Sequence, residues 1–434
     1  MARAGVVRQA GAAFAFRDYR LFWTGAVVSN IGTWMQNVTV PYVLYQLTHR
    51  GAWVGLAVVA QVLPSLLLNP LSGSLADRFS RRELLRVSNV LQGIAAFGLW
   101  GLWVSGSRSP VAILVLVAIG GTTAMTTQPA WQALVPDLVP DEHRANAITL
   151  NSAQANTARA VGPALGGIVL GTLGAGWAFL LNGVSFVAVI VVLSIVRAPD
   201  RHVGGLEGRV LQQYREAAVY ARRNVVLLEA FVFTAVVCGL ANPVFQMTTL
   251  FVRRVYHAGP GLYGALTGCY GAGALIGAFL LGAFGGRRSS RRVLVVSIIV
   301  QGAAMVGFGM ARTFALGAPL LAILGGGTLV AIATLNTTIQ SAAPVALRGR
   351  LLALWVLSYS LSYPLGSLLQ GTVADHIGPG ATVAVAGVVL GLIGVALRLR
   401  RYGRDDHGTN DYGAEPCPSS PPVTTPPADA SPSW

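Results

Sequence analysis

The sequence predicts an all-α polytopic membrane protein, with twelve transmembrane helices in two pseudo-symmetric six-helix halves. Three observations predict it. Of 434 residues, 53% are hydrophobic and only 11% charged, too few charges to cover a water-soluble domain of this size. Apolar runs long enough to cross a bilayer recur along the whole chain, each about 20 residues. The polar motifs between those runs occur twice, once in each half.

The charges give the threading. All 31 basic residues are arginine, against 16 acidic residues, for a formal charge of +15. Threading the chain through the apolar runs places 25 of the arginines on one side. They cluster before residue 21, at 78–86, 197–223, 287–292 and 398–404, with Arg144, Arg348 and Arg350 between. Arg50, Arg108, Arg253, Arg254 and Arg312 fall on the other side, and Arg159 falls inside a span. This bias predicts that the Arg-rich side, with both termini, is cytoplasmic. It accounts for the net charge without a nucleic-acid partner. The missing lysines, with abundant Ala and Gly, point to a GC-rich bacterial genome and hence to the inner (cell) membrane. The first 20 residues lack the compact apolar core of a signal peptide, so the first span would act as its own insertion signal.

Taken in order, the spans are expected near 21–46, 53–74, 83–104, 110–134, 147–172 and 177–196. A second set follows at 226–251, 262–285, 293–311, 315–340, 351–374 and 380–398. The charged stretch between the sets contains Leu206, Val210, Tyr214, Ala217 and Ala221 on one helical face, the pattern of an amphipathic helix at the membrane surface. The expected organisation is therefore 1–200, a six-helix half; 201–225, an amphipathic linker; 226–400, a second six-helix half; and 401–434, a tail too rich in Pro, Ser, Thr and Asp to bury a core. The halves echo each other. Pro140 to Arg144 after the fourth span has the spacing of Pro344 to Arg348 after the tenth. Gly73 to Arg82 after the second span matches Gly282 to Arg292 after the eighth, where the acidic residue is lost.

These motifs carry a resemblance. Gly73-Ser-Leu-Ala-Asp-Arg-Phe-Ser-Arg-Arg82 resembles the loop 2–3 signature of the major facilitator superfamily, with Ser80 where the family usually has Gly. Ala158-Arg-Ala-Val-Gly-Pro-Ala-Leu-Gly-Gly167 resembles that superfamily's antiporter motif, with Ala158 in place of its first Gly. Phe16-Arg-Asp-Tyr-Arg-Leu-Phe-Trp23 and Asn146-Ala-Ile-Thr-Leu-Asn151 are similar to stretches of the drug-efflux branch that contains macrolide and enterobactin exporters. The resemblance covers about residues 14 to 400. It implies a rocker-type secondary transporter with its site between the halves. It further implies a gating charge relay through Asp77, Arg78, Arg81 and Asp137, and a sealing helix built on Arg159, Gly162, Pro163, Gly166 and Gly167. Proton coupling is also implied by the family.

The residues themselves leave two readings beside each of these. Small residues in the fifth span let any helix approach closely. Arg159 falls near mid-membrane, where a charge costs at least ~2.5 kcal/mol on insertion scales and normally faces a cavity or a partner. It either contacts substrate or pins helices through backbone carbonyls. Charged residues in the 73–82 loop serve equally as orientation signals. Polar and aromatic residues that share inward helix faces are candidates for a substrate cavity: Asn30, Trp34, Asn37, Gln128, Tyr263, Tyr270, Asn336, Trp355 and Tyr359. A mostly apolar, aromatic cavity with few polar anchors suits an amphiphilic small molecule. The alternative for such residues is interhelical hydrogen bonding.

No Asp or Glu lies in the middle of a span; Asp375-His376 sits at the outer end of the eleventh. The six histidines have no metal-ligand spacing, and Cys238, Cys269 and Cys417 imply no disulfide framework. There is no Walker lysine, which argues against an ATP-driven pump. The expectation is a monomeric transporter without a cofactor, with the lipid bilayer, a small-molecule substrate and protons as partners. An importer, an uncoupled facilitator and a non-transporting sensor stay open as alternatives; no nucleophile-base pair supports an enzyme.

Overall fold

The apolar runs fold as helices in the order the sequence sets. The first six are α1 (Arg17–Thr48), α2 (Gly51–Arg78), α3 (Arg81–Val104), α4 (Pro110–Asp137), α5 (Arg144–Thr172) and α6 (Ala175–Ile195). A short helix, α7 (Val210–Arg223), precedes the second six. These are α8 (Val225–Val255), α9 (Pro260–Phe284), α10 (Ser290–Met310), α11 (Phe314–Ala342), α12 (Arg348–Ile377) and α13 (Pro379–Tyr402). The computed structural model describes residues 11–78, 80–196, 210–284, 290–345 and 347–402; of 67–78, 210–213, 284 and 399–402 it describes only the backbone. Among the described residues there is no β-strand.

Local chemistry sets the helix starts. Ser80 opens α3 with a reciprocal capping box. Its Oγ accepts from Glu83 N at 3.3 Å, and its own N–H donates to Glu83 Oε2 at 3.1 Å, satisfying two orphan donors of the first turn. The one departure from the loop 2–3 signature is thus a helix cap. Ser109 caps α4 just ahead of Pro110, and the Asn224 side chain accepts from Leu227 N to cap α8. Many helices run up to four residues beyond the apolar stretches, as α1 does from Arg17, because polar ends continue the helix past the hydrocarbon.

The two sets of six repeat in backbone detail. α1 and α8 both end in a left-handed histidine, His49 at φ 54° and His257 at φ 48°. The α5–α6 and α12–α13 connections both turn on a positive-φ glycine, Gly174 at 90° and Gly378 at 85°, a conformation that any side chain would strain. Packing repeats as well. α3 lies on α6 and α4 as α10 lies on α13 and α11, and α2 lies on α4 as α9 lies on α11. Between the sets, two seams dominate: α2 against α12, and α5 against α9.

Nine helices are long and apolar enough to cross a membrane among the described residues, and α2 adds a shorter apolar stretch, Gly51–Leu66. The two that fall short, α1 and α5, pack closely on each other. They carry polar residues that face inward, such as Asn30, whose Nδ2 donates to Gln154 Oε1 at 3.1 Å. Helix α7 is amphipathic as expected. Ala217 and Ala221 are buried, Arg215 and Arg222 are exposed, and Glu216 pairs with Arg350 at 2.7 Å, which ties the helix to α12. Leu206, the charged arm around it, Phe79 and residues 403–434 lie outside the described residues.

Candidate transport pathway

The two seams close at the Arg-poor end. A Cβ built on Gly167 of α5 would lie 2.0 Å from Gly264 Cα of α9, and one built on Gly51 of α2 would lie 2.6 Å from the Gly371 carbonyl of α12. Only glycine permits backbones to meet this closely. Arg254, at the end of α8, sits across the joint. Its guanidinium donates to Tyr45 Oη, to the His49 carbonyl at 2.8 Å, to the Ala374 carbonyl at 3.1 Å and to Asp375 Oδ1 at 3.1 Å. The Asp375 carboxylate also accepts from Gly51 N at 2.7 Å and from Ala52 N at 3.0 Å. It therefore caps the N-terminus of α2, where the helix dipole favours an anion. Beneath it Tyr42 stacks on Tyr263 at 5.6 Å, with Arg253 over the Tyr42 ring. The hydrogen bonds that join the first six spans to the last six among the described residues all lie at this end.

Arg159 lies midway along α5 and is exposed, with its guanidinium 5.4 Å above the Trp34 ring of α1. It is also within electrostatic range of Tyr270 on α9 and Tyr359 on α12. The cation thus lies over a ring of α1, at the level where α9 meets α5, since a Cβ on Gly271 would lie 2.8 Å from Ala160 Cα. Tyr270 packs on Phe245 at 5.1 Å. Tyr359 Oη accepts from Asn242 at 3.1 Å, and the Trp355 indole donates to Thr234 at 2.9 Å. Gly162 and Gly166 face α1, where a Cβ would lie 2.4 Å from Trp34 Cβ and 2.9 Å from Met35 Cα; buried Pro163 lies between them. One helix thus holds the cation, supports its aromatic platform and seals against α9.

The other expected cavity residues are placed differently from one another. Tyr263 is fully buried in the closed end and lines no open space, because its ring is taken up by Tyr42. Asn30 is held by Gln154, and Asn336 accepts from Gln340 on its own helix. Gln128 is exposed on α4. Asn37 accepts from Gln61 Nε2 at 3.0 Å and borders a separate pocket inside the first six spans.

At the Arg-rich end, Arg81 pairs with Asp137 at 2.5 Å, the carboxylate being 7% exposed. Arg82 and Arg86 donate to the Leu193 carbonyl and Arg82 also to the Ser194 carbonyl, at the end of α6. These contacts all lie within the first six spans. The side chains of Asp77 and Arg78, two members of the expected relay, lie outside the described residues.

Sequence reading passed over α8. It winds as π turns at Val237–Ala241 and Phe251–Val255, a distortion frequent at functional positions. Asn242 and Gln246 lie between these turns, and Arg254 lies within the second. The available signal was Asn242-Pro243, a polar residue and a helix breaker inside an apolar run.

The two sets of six helices thus meet at the Arg-poor end, and known proteins share this build. The family described as transmembrane secretion effectors matches residues 9–417. An enterobactin exporter of Citrobacter koseri is 25% identical over 395 residues, 88% of this chain and 91% of that protein. A multidrug efflux pump of Mycolicibacterium fortuitum is 26% identical over 387 residues, 85% of this chain and 92% of that protein. Among solved structures, a bacterial homologue of the human lysosomal transporter Spinster in an inward-facing, unoccupied conformation aligns at a TM-score of 0.68 and 14% identity, over 91% of this chain and 99% of that one; it shows the shared fold. The chain therefore belongs to the transmembrane secretion effectors, and is a multi-pass major facilitator transporter of the efflux branch.

Proposed function

We propose that the protein exports a small amphiphilic compound, an antibiotic, siderophore or other secondary metabolite, by proton-coupled alternating access. It would work as a monomer in the bacterial inner membrane, with the Arg-rich end and both termini in the cytoplasm. Residues 1–200 rock against 226–400, with 201–225 as the linker and 401–434 as a cytoplasmic tail. In this reading the structure is the inward-open state, ready to load. The observation that carries the proposal is the exposed Arg159 guanidinium, set midway along α5 over the Trp34 ring and close to the α5–α9 seam. A charge at that depth belongs to a pathway, and the aromatic surround suits an amphiphile. The relatives named for exporting enterobactin and drugs support the direction of transport.

One observation favours an uncoupled facilitator instead: the carboxylate of Asp375 is engaged by Arg254 and by the α2 N-terminus rather than open to the cavity. A single experiment separates the two. Accumulation of macrolides, dyes and siderophores is measured in cells lacking their own pumps, with and without a protonophore. Wild type lowers accumulation of at least one compound, and the protonophore abolishes the effect. Arg159→Ala abolishes it as well while the protein stays in the membrane. Export that survives the protonophore would leave the facilitator; full export by Arg159→Ala would remove the arginine from the pathway.

A further inference from the structure

A small pocket lies among the first six helices, between α1, α2, α3, α4 and α6, and Gln246 of α8 also borders it. Its polar lining is almost entirely carboxamide: Gln36, Asn37, Gln61, Gln92, Asn182 and Gln246. Among the described residues, no charged side chain lines it. Two of the amides are held by partners across helices, Asn37 by Gln61 at 3.0 Å and Gln36 by Asn182 at 2.8 Å. Gln92 donates to Ser88 at 2.9 Å.

Gln246 differs. It is 6% exposed, and its Nε2 donates to Tyr363 Oη at 3.0 Å. Its Oε1 is buried without a partner. A buried acceptor left without a donor is costly, and a donor group arriving in the pocket would satisfy it. Gln61 Oε1 and Gln92 Oε1 also accept no hydrogen bond among the described residues. An ion would lose its hydration here without meeting a counter-charge, whereas a hydroxyl or an amide N–H would find acceptors already in place.

We infer that this carboxamide pocket is a substrate subsite that takes an uncharged hydrogen-bond donor of the exported molecule, with Gln246 closing on it from the opposite six helices. The inference rests on the export reading above. It assigns substrate selection to two separate places, the exposed cation of α5 and a neutral pocket that reads hydroxyl and amide groups. Because Gln246 belongs to α8 and the other amides to α1, α2, α3 and α6, a bound donor group would also link the two sets of helices.

The test uses chloramphenicol, an uncharged aromatic compound with two hydroxyls and an amide N–H, beside fluorescein, an aromatic anion. Both are followed in pump-deficient cells that express wild type, Gln246→Leu or Gln61→Leu. Wild type exports chloramphenicol. Each substitution raises its KM about tenfold, the scale of one lost hydrogen bond. Maximal rate stays within about twofold, and the purified proteins unfold cooperatively with no more than the few-degree loss that one interhelical hydrogen bond accounts for. Gln61→Leu, on the other side of the pocket, carries the test if Gln246→Leu does not fold. Export of fluorescein but not of chloramphenicol by wild type overturns the subsite and leaves the export reading standing. Unchanged KM in both variants, or a lower maximal rate at constant KM, overturns it too. Export of neither probe by wild type counts against the export reading and removes the basis for the subsite.

Discussion

The two ends of the helix bundle use their charges in opposite ways. At the Arg-poor end, Arg254 and Asp375 reach across to Tyr45, His49 and the start of α2, so a few charged groups bind one set of six helices to the other. At the Arg-rich end, the described charges work within a set: Arg81 with Asp137, and Arg82 and Arg86 with the end of α6. Number of arginines and strength of closure run in opposite directions. The few arginines at the Arg-poor end, with glycine-to-glycine contact beneath them, hold it shut. A joint that must reopen is better made from a small number of partly solvated contacts than from a buried apolar interface, since each contributes modestly and can be replaced by water.

The largest effect is expected from Gly167→Leu. The added side chain would have to occupy the space of Gly264 on α9, so the Arg-poor end cannot close and export is lost. Spin labels on the Arg-poor ends of α5 and α9 would report a longer distance than in wild type. Wild-type distance and export together would show that the seam is not what closes this end.

Asp375→Ala comes next. It removes the anion shared by Arg254 and the α2 N-terminus. With Arg254 and Asp375 side chains 32% and 18% exposed, solvent screens part of the interaction, and roughly a tenfold shift toward opening, about 1–2 kcal/mol, is expected. Labelling rates of a cysteine placed beneath Tyr42 measure the shift. Adding Arg254→Ala should cost little more, because the two side chains share one interaction; fully additive effects would show that they act separately.

Arg81→Ala tests the other end. It takes from Asp137 its 2.5 Å partner and is expected to lower stability by about 1–3 kcal/mol, read as a lower melting temperature in detergent. Labelling at the Arg-poor end should be unchanged. A change there would couple the two ends and sharpen the relay proposed for Asp77, Arg78, Arg81 and Asp137.

The smallest effect is expected at Ser80. Loss of the cap in Ser80→Ala should cost about 1 kcal/mol, and Ser80→Gly only a few tenths. Equal losses would mean that the hydroxyl contributes nothing to the start of α3.

Much of this protein is legible in its sequence. Spans, order, arginine bias and repeat structure depend on local properties, because in a bilayer every backbone polar group is satisfied within its own helix and length and hydropathy alone mark the elements. The capping box at Ser80 and the glycines of α5 are local in the same sense. The residues that line the pathway were only partly legible. A polar side chain inside a span must find a partner or a cavity, and which it finds depends on the neighbouring helix. Asn30 found Gln154, Tyr263 found Tyr42 and Asn37 found Gln61, whereas Arg159 kept an exposed position over Trp34.

The sequence by itself determined twelve long helices in two sets of six, with an arginine in the middle of the fifth. Only the tertiary structure decided that α5 meets α9 and α2 meets α12. It alone brought Arg254 and Asp375, separated along the chain by several spans, to the same helix end, and placed Gln246 of α8 against the amides of the first six helices. The reason is physical. Helix formation is governed by neighbours a turn away, while closure and recognition are made between segments whose distance along the chain carries no information about their distance in space.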